Sequence, residues 1–588
     1  IEMADQVLNN LDYELAAVIH QELRDNGIDL ILGEGLAAIS ETHDQKGLQV
    51  ITNQGKKVIT DMVILAMGVR PDNKLAVDAG LVMGQNGAVQ VNERLQTSDS
   101  NIYAVGDVIQ VTEIISGKTS WVPLAGPANR QGRLLADILA GREAAYRGAQ
   151  GTAIVKVFNL NAGSTGLSEK VLKKLEIPYL ASTTHSNSHA SYYPGAQPVT
   201  IKVLFAPDTG RILGAQAVGF DGVDKRLDVL ATALRYEKTV EDLTDLELAY
   251  APPFSSAKDP VNIAGYTASN ILTKDVAVIT WDQLPAEPGG RYILLDVREP
   301  AELQIGKIPG AVNIPLDQLR DRLNELPKDR EVIVYCQVGL RAYLATRILS
   351  LNGYRAKNLS GGYKTYAAVQ KDRSMRGQLI AGPEAASAEA TGYEEENREM
   401  NDVIKVNACG LQCPGPILQL FNKMQQLNEG DVLEITASDP GFGNDVEAWC
   451  LRTGNTLVKL DRTPGKITAV IRKGNTTQEA KGSPSAGQDK TIIVFSSDLD
   501  KAIASFIIAT GAASMGRKVT MFFTFWGLNV LRKPRRVKVA KGFMDRMFAM
   551  MMPRGSTKLG LSKMNMAGMG AKMIRMTMNR KNISSLES

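Results

Sequence analysis

The chain has little cysteine and no long apolar run. Its 588 residues include four cysteines, and none of them lies in the first 335 positions. Secreted proteins held together by disulfides use many more cysteines in much less sequence, so we expect a reducing, cytoplasmic setting in which single thiols do chemistry. No stretch of about 18 apolar residues occurs, so the sequence offers no candidate for a membrane-spanning helix, and we expect no membrane insertion.

The sequence also lacks an initiator methionine. It opens on Ile1-Glu2-Met3, which is not the start of a basic-then-apolar signal peptide either. We therefore expect that further residues precede this segment in the native protein.

Acidic residues are scarce near the C-terminus. The net charge of +4 conceals a stretch from 531 to 588 that holds 14 Lys or Arg, 2 Asp or Glu, and many methionines. This stretch could face an anionic partner, a coenzyme A phosphate or a membrane surface. The composition favours the simpler interpretation, a solvated basic face over a core filled by methionine. Nothing in it predicts a nucleic-acid partner.

The length exceeds what one hydrophobic core supports, and three to five domains are expected. Two polar stretches, 381–401 and 473–490, have the composition of linkers. A softer boundary lies near 269–275, where one α/β pattern gives way to another.

Two apolar runs in the front portion each end on a glycine. The runs 62–68 and 102–108 predict buried strands, the first ending at Gly68 and the second leading into Gly106 and Asp107. A glycine lets the backbone approach a nucleotide, and a carboxylate can accept hydrogen bonds from its hydroxyl groups. A single Gly-Asp turn after a strand is ordinary, but two such runs together indicate a nucleotide site.

With these runs, VILAMGVRP at 63–71 and IYAVGD at 102–107 resemble motifs of the pyridine-nucleotide disulfide oxidoreductases. The resemblance implies FAD and NAD(P)H as cofactors, with Gly106 and Asp107 beside the flavin and Gly68 at the hinge between the nucleotide domains. Glu2 would end the second strand of the nicotinamide domain, where an acid favours NADH over NADPH.

Two tyrosine-bearing motifs narrow this resemblance. YYPG at 192–195 and LAYAPPFSSAKD at 248–259 resemble the coenzyme A-disulfide reductases and their rhodanese-fused relatives. That subfamily implies a homodimer in which Tyr250 and Tyr193 reach the partner's active site, and a coenzyme A disulfide, persulfide or similar thiol compound as substrate. Tyr193 could equally be a turn tyrosine before Pro-Gly. The family's first flavin loop and redox cysteine have no counterpart here, so we expect a truncated reductase rather than a degenerate one.

Cys336 lies between a strand and a helix. The apolar run 332–335 leads into Cys336-Gln337-Val338-Gly339-Leu340-Arg341, after which a helix is predicted. Backbone N–H groups that converge at such a turn stabilise a thiolate or persulfide, and Arg341 adds positive charge. The segment resembles a rhodanese domain, which implies Cys336 as the sulfur acceptor. Four residues separate Cys336 from Arg341, fewer than in phosphatase loops, and this favours sulfur over phosphate.

The other cysteines lie in a second module. Cys413 precedes a proline at the start of a helix, which places sulfur over the helix's positive end. This module resembles the TusA/SirA sulfur carriers, and the resemblance implies Cys413 as the persulfide carrier. Cys409 could be a resolving thiol or structural, and the two cysteines lack further ligands for a metal. Cys450, beside Trp449, is predicted to be a core residue.

The last segment, which begins TIIVFSS at 491, resembles the DsrE/DsrF-like proteins, but it has no cysteine and is expected to be a docking or binding module.

We therefore predict an α/β multidomain chain. It would begin with part of a two-dinucleotide-binding-domain flavoprotein and an α+β dimerisation domain, and continue with rhodanese, TusA-like and DsrE-like domains. The expected boundaries are 1–70 for the NAD-binding part and 71–147 for the FAD-binding part. They are 151–268 for the dimerisation domain, 275–372 for the rhodanese domain, 402–472 for the TusA-like domain and 490–588 for the DsrE-like domain.

The function these resemblances imply is FAD-dependent, NAD(P)H-linked reduction of coenzyme A disulfide, or of coenzyme A or glutathione persulfide and polysulfide. Sulfur transfer through Cys336 and Cys413 would be coupled to it, with a sulfur-acceptor protein as a further partner. The alternative is a sulfur-delivery scaffold without redox activity.

Overall fold

A computed structural model describes the chain at residues 1–42, 47–285, 290, 292–376, 403–409, 411, 415–439, 441–463, 466–474, 490–494 and 519–523. Two compact units are present, Ile1–Thr476 and Thr477–Ser588.

The first unit opens with helix α1, Tyr13–Asp25, and an antiparallel sheet of three strands in sequence order. These strands are β1, Leu36–Glu41, β2, Leu48–Thr52, and β3, Lys57–Thr60. The short helix α2, Lys74–Asp78, the hairpin of β4, Val111–Thr112, and β5, Thr119–Ser120, and helix α3, Ala125–Leu139, follow.

The prediction of a buried strand at 62–68 is wrong. This run has no strand hydrogen bonds and is exposed, with 81% of Ile64 and 78% of Met67 accessible to solvent. An apolar run becomes a strand only where neighbouring strands pair with it, and no described strand lies beside this one. The run 102–108 is also not a continuous strand, because it contains a single bridge at Tyr103 and a 3-10 turn over Gly106–Val108.

The next segment is an antiparallel five-stranded sheet in the order β6-β7-β10-β9-β8. Its strands are β6, Ala153–Val157, β7, Leu160–Gly166, β8, Leu180–Asn187, β9, Pro198–Phe205, and β10, Ile212–Gly219. Three helices accompany it: α4, Glu169–Lys174, α5, Val223–Arg235, and α6, Pro260–Leu272. The inward residues of β9 and β10 form an extensive apolar cluster with α5 and α6.

A parallel five-stranded sheet in the order β11-β15-β14-β12-β13 follows. Its strands are β11, Val278–Ile279, β12, Tyr292–Asp296, β13, Val312–Asn313, β14, Glu331–Tyr335, and β15, Arg355–Leu359, with helices α7, Leu340–Leu351, and α8, Gly362–Ser374. The predicted arrangement of strand, Cys336 and helix is confirmed, because β14 ends immediately before Cys336 and α7 begins four residues after it.

The first unit ends in a four-stranded mixed sheet in the order β16-β17-β19-β18. The strands are β16, Ile404–Ala408, β17, Val432–Ala437, β18, Thr456–Thr463, and β19, Lys466–Arg472, and the helices are α9, Gly415–Met424, and α10, Phe442–Thr453.

In the second unit, β20, Lys490–Val494, pairs in parallel with β21, Val519–Phe523. Both linker stretches fall almost wholly outside the described residues, and the basic methionine-rich stretch does so entirely. No helix in the described part of the chain is long and apolar enough to cross a membrane.

Buried charges join α8 to α1. Asp372 accepts hydrogen bonds from Tyr13 Oη at 2.5 Å, His20 Nδ1 at 2.9 Å and Arg24 Nη1 at 2.6 Å. His20 Nε2 accepts from the Val7 N–H, so the ring proton must lie on Nδ1. Burial alone would raise the pKa of Asp372, but these hydrogen bonds outweigh it and lower the pKa to about 2. The parallel sheet is therefore fixed to the front of the chain through an ionised, buried carboxylate.

Candidate functional site

Cys336 lies at the carboxyl end of β14, where the chain turns into α7. Gly339 has a φ of 112°, a left-handed conformation that side chains other than glycine rarely adopt. That conformation lets the Gly339 N–H donate to Cys336 Sγ at 3.1 Å. Cys336 is 1% exposed, so its sulfur is held in a closed turn by a backbone donor rather than displayed on the surface.

The start of the Cys336 loop is held by Arg298, which is fully buried. Its guanidinium donates to Asp296 Oδ2 at 2.7 Å, to Gln337 Oε1 at 3.1 Å and to the Gly306 carbonyl at 2.7 Å. Burial alone would lower the pKa of Arg298, but the hydrogen bonds and charge of Asp296 raise it, so the side chain stays charged.

The end of the loop is held by a second arginine. Arg341 forms two parallel hydrogen bonds to Glu302, from Nη1 to Oε2 at 2.6 Å and from Nη2 to Oε1 at 2.7 Å. Burial would lower the pKa of Arg341, but the Glu302 hydrogen bonds and charge outweigh it, and a smaller contribution from Cys336 raises the pKa further. The sequence predicted the position of Arg341 but not Glu302, which lies 39 residues earlier.

The first turn of α8 is hydrogen-bonded to the backbone of the Cys336 loop. The N–H of Tyr363 donates to the Cys336 carbonyl at 2.8 Å, and the N–H of Lys364 donates to the Gln337 carbonyl at 2.9 Å. A Cβ atom at Gly362 would lie 2.6 Å from the Cys336 carbonyl oxygen, so only glycine permits this approach. These bonds fix the backbone of the loop without using the sulfur.

The remaining cysteines have different surroundings. Cys413 lies outside the described residues, and Cys409 is exposed after β16. Cys450 is confirmed as a core residue: it is 3% exposed, and burial, with a smaller effect of Glu447, raises the pKa of its thiol to about 12. Among the described residues, no group of three or more His, Cys, Asp or Glu could hold a metal ion.

The tyrosine motifs meet through Tyr192 rather than Tyr193. The hydroxyl groups of Tyr192 and Tyr250 lie 3.0 Å apart on an exposed surface, and Tyr250 raises the pKa of Tyr192 chiefly by that hydrogen bond. Tyr193 instead packs its ring edge to face with His189 at 5.8 Å. The contact between Tyr192 and Tyr250 joins residues 58 positions apart, and no local pattern identifies it. The role expected of Tyr193 at a partner's active site stays a prediction.

A buried network holds the loops that carry these two tyrosines. Arg226 donates to Asp259 Oδ2 at 2.9 Å and to the Ser188 carbonyl at 2.6 Å. Ser255 Oγ donates to Asp259 at 2.6 Å, and the Ser255 carbonyl accepts from Ala190 N. The loop that carries Tyr250 is thereby fixed to the loop that carries Tyr192.

The residues expected to contact FAD fit part of a flavin site. Gly106 has a φ of 84°, and its N–H donates to Gln131 Oε1 of α3 at 2.7 Å. The turn therefore lies against α3, and Asp107 of the same turn is exposed. Asp107 and the first turn of α3 are groups that would hold ribityl hydroxyls and a pyrophosphate.

The residues expected at the nicotinamide site fit less well. Glu2 Oε1 accepts from the Ala4 N–H at 2.9 Å, so that oxygen caps a local turn. Gly68 has a φ of 86° within the exposed run 62–70. Glu2 also forms a parallel bridge with Leu32, and the expected roles of Glu2 and Gly68 at a nicotinamide site stay predictions.

Family models match the chain in five places. Residues 1–132 match the pyridine nucleotide-disulphide oxidoreductases and 152–260 match their dimerisation domain. Residues 281–368 match the rhodanese-like domain, 404–473 the sulfurtransferase TusA, and 487–588 the DsrE/DsrF/DrsH-like family.

The chain thus contains a pyridine nucleotide-disulphide oxidoreductase segment with its dimerisation domain, followed by rhodanese, TusA and DsrE-like domains. The predicted resemblance and the α/β multidomain fold class are both confirmed. From here the segments are called the reductase part, the dimerisation domain, the rhodanese domain and the TusA-like module.

Solved structures and curated proteins agree with this assignment. The reduced CoADR-RHD of Bacillus anthracis is 49% identical, with a TM-score of 0.61, over 63% of this chain and 66% of that one. An NAD-dependent persulfide reductase from A. fulgidus is 35% identical, with a TM-score of 0.57, over 62% and 66%. A coenzyme A disulfide reductase from Staphylococcus haemolyticus is 35% identical over 46% of this chain and 60% of its own length. The chain thus spans about three fifths of the curated relatives it matches.

Proposed function

We propose that Cys336 accepts and donates sulfane sulfur in a rhodanese-type transfer. The observation that supports this best is the closed loop after β14, in which the Gly339 N–H points at Cys336 Sγ and Arg341 closes the far end. A backbone donor aimed at sulfur stabilises the anion that the reaction needs, and it does so without reorganisation.

The proposed reaction needs no electrons from outside. The Cys336 thiolate attacks the outer sulfur of thiosulfate, the S–S bond of thiosulfate breaks, and sulfite leaves with the bonding pair. Cys336 then carries a persulfide. Cyanide attacks its terminal sulfur, the Cys–S–S bond breaks, and thiocyanate and the original thiolate result.

Replacing Cys336 tests this directly. Cys336→Ser should abolish thiosulfate:cyanide transfer, because a serine alkoxide is not accessible at neutral pH. Arg341→Ala should lower the rate by weakening stabilisation of the bound anion. Arg347→Ala is the matched control, since Arg347 is also on α7 and pairs with a carboxylate, Asp275, on another face. Full activity in Cys336→Ser would overturn the proposal.

We further propose that the whole protein reduces a coenzyme A disulfide, or a coenzyme A or glutathione persulfide, with NAD(P)H through FAD. The similarity to coenzyme A disulfide and persulfide reductases supports this. FAD, held in part by Asp107 and α3, would supply the electron transfer from nicotinamide. In a homodimer, the paired hydroxyls of Tyr192 and Tyr250 would be donors for a sulfur anion on the partner's side. The cytoplasmic setting remains a prediction.

A protein extended to the relatives' full length should bind flavin stoichiometrically and oxidise NADH when coenzyme A disulfide is added. Tyr192→Phe and Tyr250→Phe should each lower that rate, whereas Tyr236→Phe, at a site about as exposed as that of Tyr192, should not. An extended protein without flavin absorbance would favour the scaffold that only delivers sulfur.

We also propose that sulfur passes from Cys336 to Cys413 of the TusA-like module. Cys413 would accept sulfur when its thiolate attacks the terminal sulfur of the Cys336 persulfide and releases the Cys336 thiolate. Mass spectrometry after thiosulfate treatment should find the added sulfur on Cys413 in the wild type and not in Cys336→Ser. Equal loading of Cys413 without Cys336 would contradict the relay, and loading of Cys409 instead would contradict the choice of carrier.

A further inference from the structure

One short stretch, residues 302–306, is connected to both ends of the Cys336 loop, directly at the end and through Arg298 at the start, and we call it the docking strap. Glu302 accepts both hydrogen bonds from Arg341 at the end of the loop. The Gly306 carbonyl accepts from Arg298, whose other Nη atom donates to Gln337 at the start of the loop. The position of the docking strap therefore sets the positions of the residues on either side of the Cys336 turn.

The TusA-like module contacts the same stretch. Trp449 Nε1 donates to Gln304 Oε1 at 3.1 Å, and Arg452 Nη1 donates to the Gln304 carbonyl at 3.3 Å. Ile305 is 9% exposed and belongs to the apolar core cluster of the module. Its neighbours in that cluster include Ile417, Leu420, Val446 and Trp449.

The contact of Glu302 with Arg341 and the contact of Gln304 with Trp449 lie on one short turn. Pro300–Gln304 is a single 3-10 turn, and Glu302 Oε2 also accepts from the Glu299 N–H at 3.0 Å, which closes a capping box. Because Glu302 and Gln304 belong to one turn, a shift of Gln304 moves the carboxylate that holds Arg341. Glu302 is 1% exposed. If Arg341 moved away, the carboxylate would be a buried charge without its partner, which is costly.

We propose that the TusA-like module, docked on residues 302–306, positions Arg341 and Gln337 for sulfur transfer at Cys336. Trp449 and Gln304 are then positioning residues of the rhodanese site, although neither touches the sulfur. This inference rests on the proposed sulfur transfer, and it gives the TusA-like module a role in the first half-reaction that does not depend on its own cysteines.

The test uses two substitutions that leave the charge near Cys336 unchanged. Gln304→Leu removes the acceptor from the rhodanese side, and Trp449→Phe removes the indole N–H from the other side. Gln370→Leu, at an exposed glutamine of α8, is the control. Thiosulfate:cyanide kinetics give KM and kcat, and the sulfite released without cyanide counts the active sites.

Both docking variants should raise the KM for thiosulfate, by up to about fivefold, the factor equivalent to one hydrogen bond of about 1 kcal/mol. The active-site count of Gln304→Leu should stay at that of the wild type, and Gln370→Leu should behave as the wild type does. Unchanged KM values in both variants would overturn the inference. So would a loss of active sites with the KM unchanged, because that is what a purely structural role predicts. A wild-type chain without transfer activity would instead refute the proposed function itself.

Discussion

Asp372→Asn should separate the rhodanese domain from the front of the chain at much lower denaturant concentration. The carboxylate accepts hydrogen bonds from Tyr13, His20 and Arg24 and is 2% exposed. An amide keeps one acceptor, places an NH2 group against these donors and leaves the 8% exposed Arg24 without its counter-charge. Breaking a buried pair of this kind costs about 3–5 kcal/mol.

The assay is urea unfolding followed by tryptophan fluorescence. Trp281 reports on this contact, because its ring lies 5.9 Å from that of Tyr13 and 4.7 Å from the Arg373 guanidinium. With a urea dependence of about 2 kcal/mol per molar, a loss of about 4 kcal/mol lowers the midpoint by about 2 M. Asp78→Asn is the control, since Asp78 and Lys74 form an exposed pair, for which the change should stay below about 1 kcal/mol.

The effect also has a defined pH dependence. The folded-state pKa of Asp372 is lowered to about 2, below the value near 4 of an unfolded aspartate. Its contribution to stability is therefore complete above about pH 4 and is lost as the pH falls through about 2. Equal midpoints for Asp372→Asn and Asp78→Asn at pH 7 would refute the reasoning.

Two further predictions concern buried groups. Cys450, whose pKa is raised to about 12, should resist iodoacetamide at pH 8 in the folded chain, whereas the exposed Cys409 should react. Equal labelling of the Cys450 and Cys409 peptides would contradict the placement of Cys450 in the core. Lys202→Met should destabilise the first unit by at least about 3 kcal/mol, because Lys202 Nζ pairs with three acidic side chains in the interior. Lys156→Met, at an exposed position of β6, should leave the unfolding midpoint unchanged, and equal midpoints for both variants would contradict the pairing.

Local patterns in the sequence were enough to predict the Cys336 turn. A run of β-branched residues, a cysteine and a glycine three positions later predict a strand, a tight turn and a helix, and β12 and β15 supply the pairing that the strand needs. The prediction that Cys450 is buried succeeded for a similar reason, because it lies beside Trp449 in an apolar stretch.

Contacts between distant residues could not be predicted in this way. Three contacts depend on how separate elements pack: Arg341 with Glu302, Tyr192 with Tyr250, and Trp449 with Gln304. The run 62–68 shows the converse, since its apolar residues satisfy the pattern of a buried strand and yet have no described neighbour to pair with. The functional roles of all the predicted site residues remain predictions: Cys336, Arg341, Cys413, Tyr250, Tyr193, Asp107, Gly106, Gly68 and Glu2.

The most direct test of the central claim is the mass of the Cys336 peptide after thiosulfate treatment of the intact chain. The account predicts that this peptide gains one sulfur atom, that cyanide removes it as thiocyanate, and that Cys336→Ser shows no gain at that position. A Cys336 peptide that never gains sulfur, while the chain still turns over thiosulfate, would contradict the account.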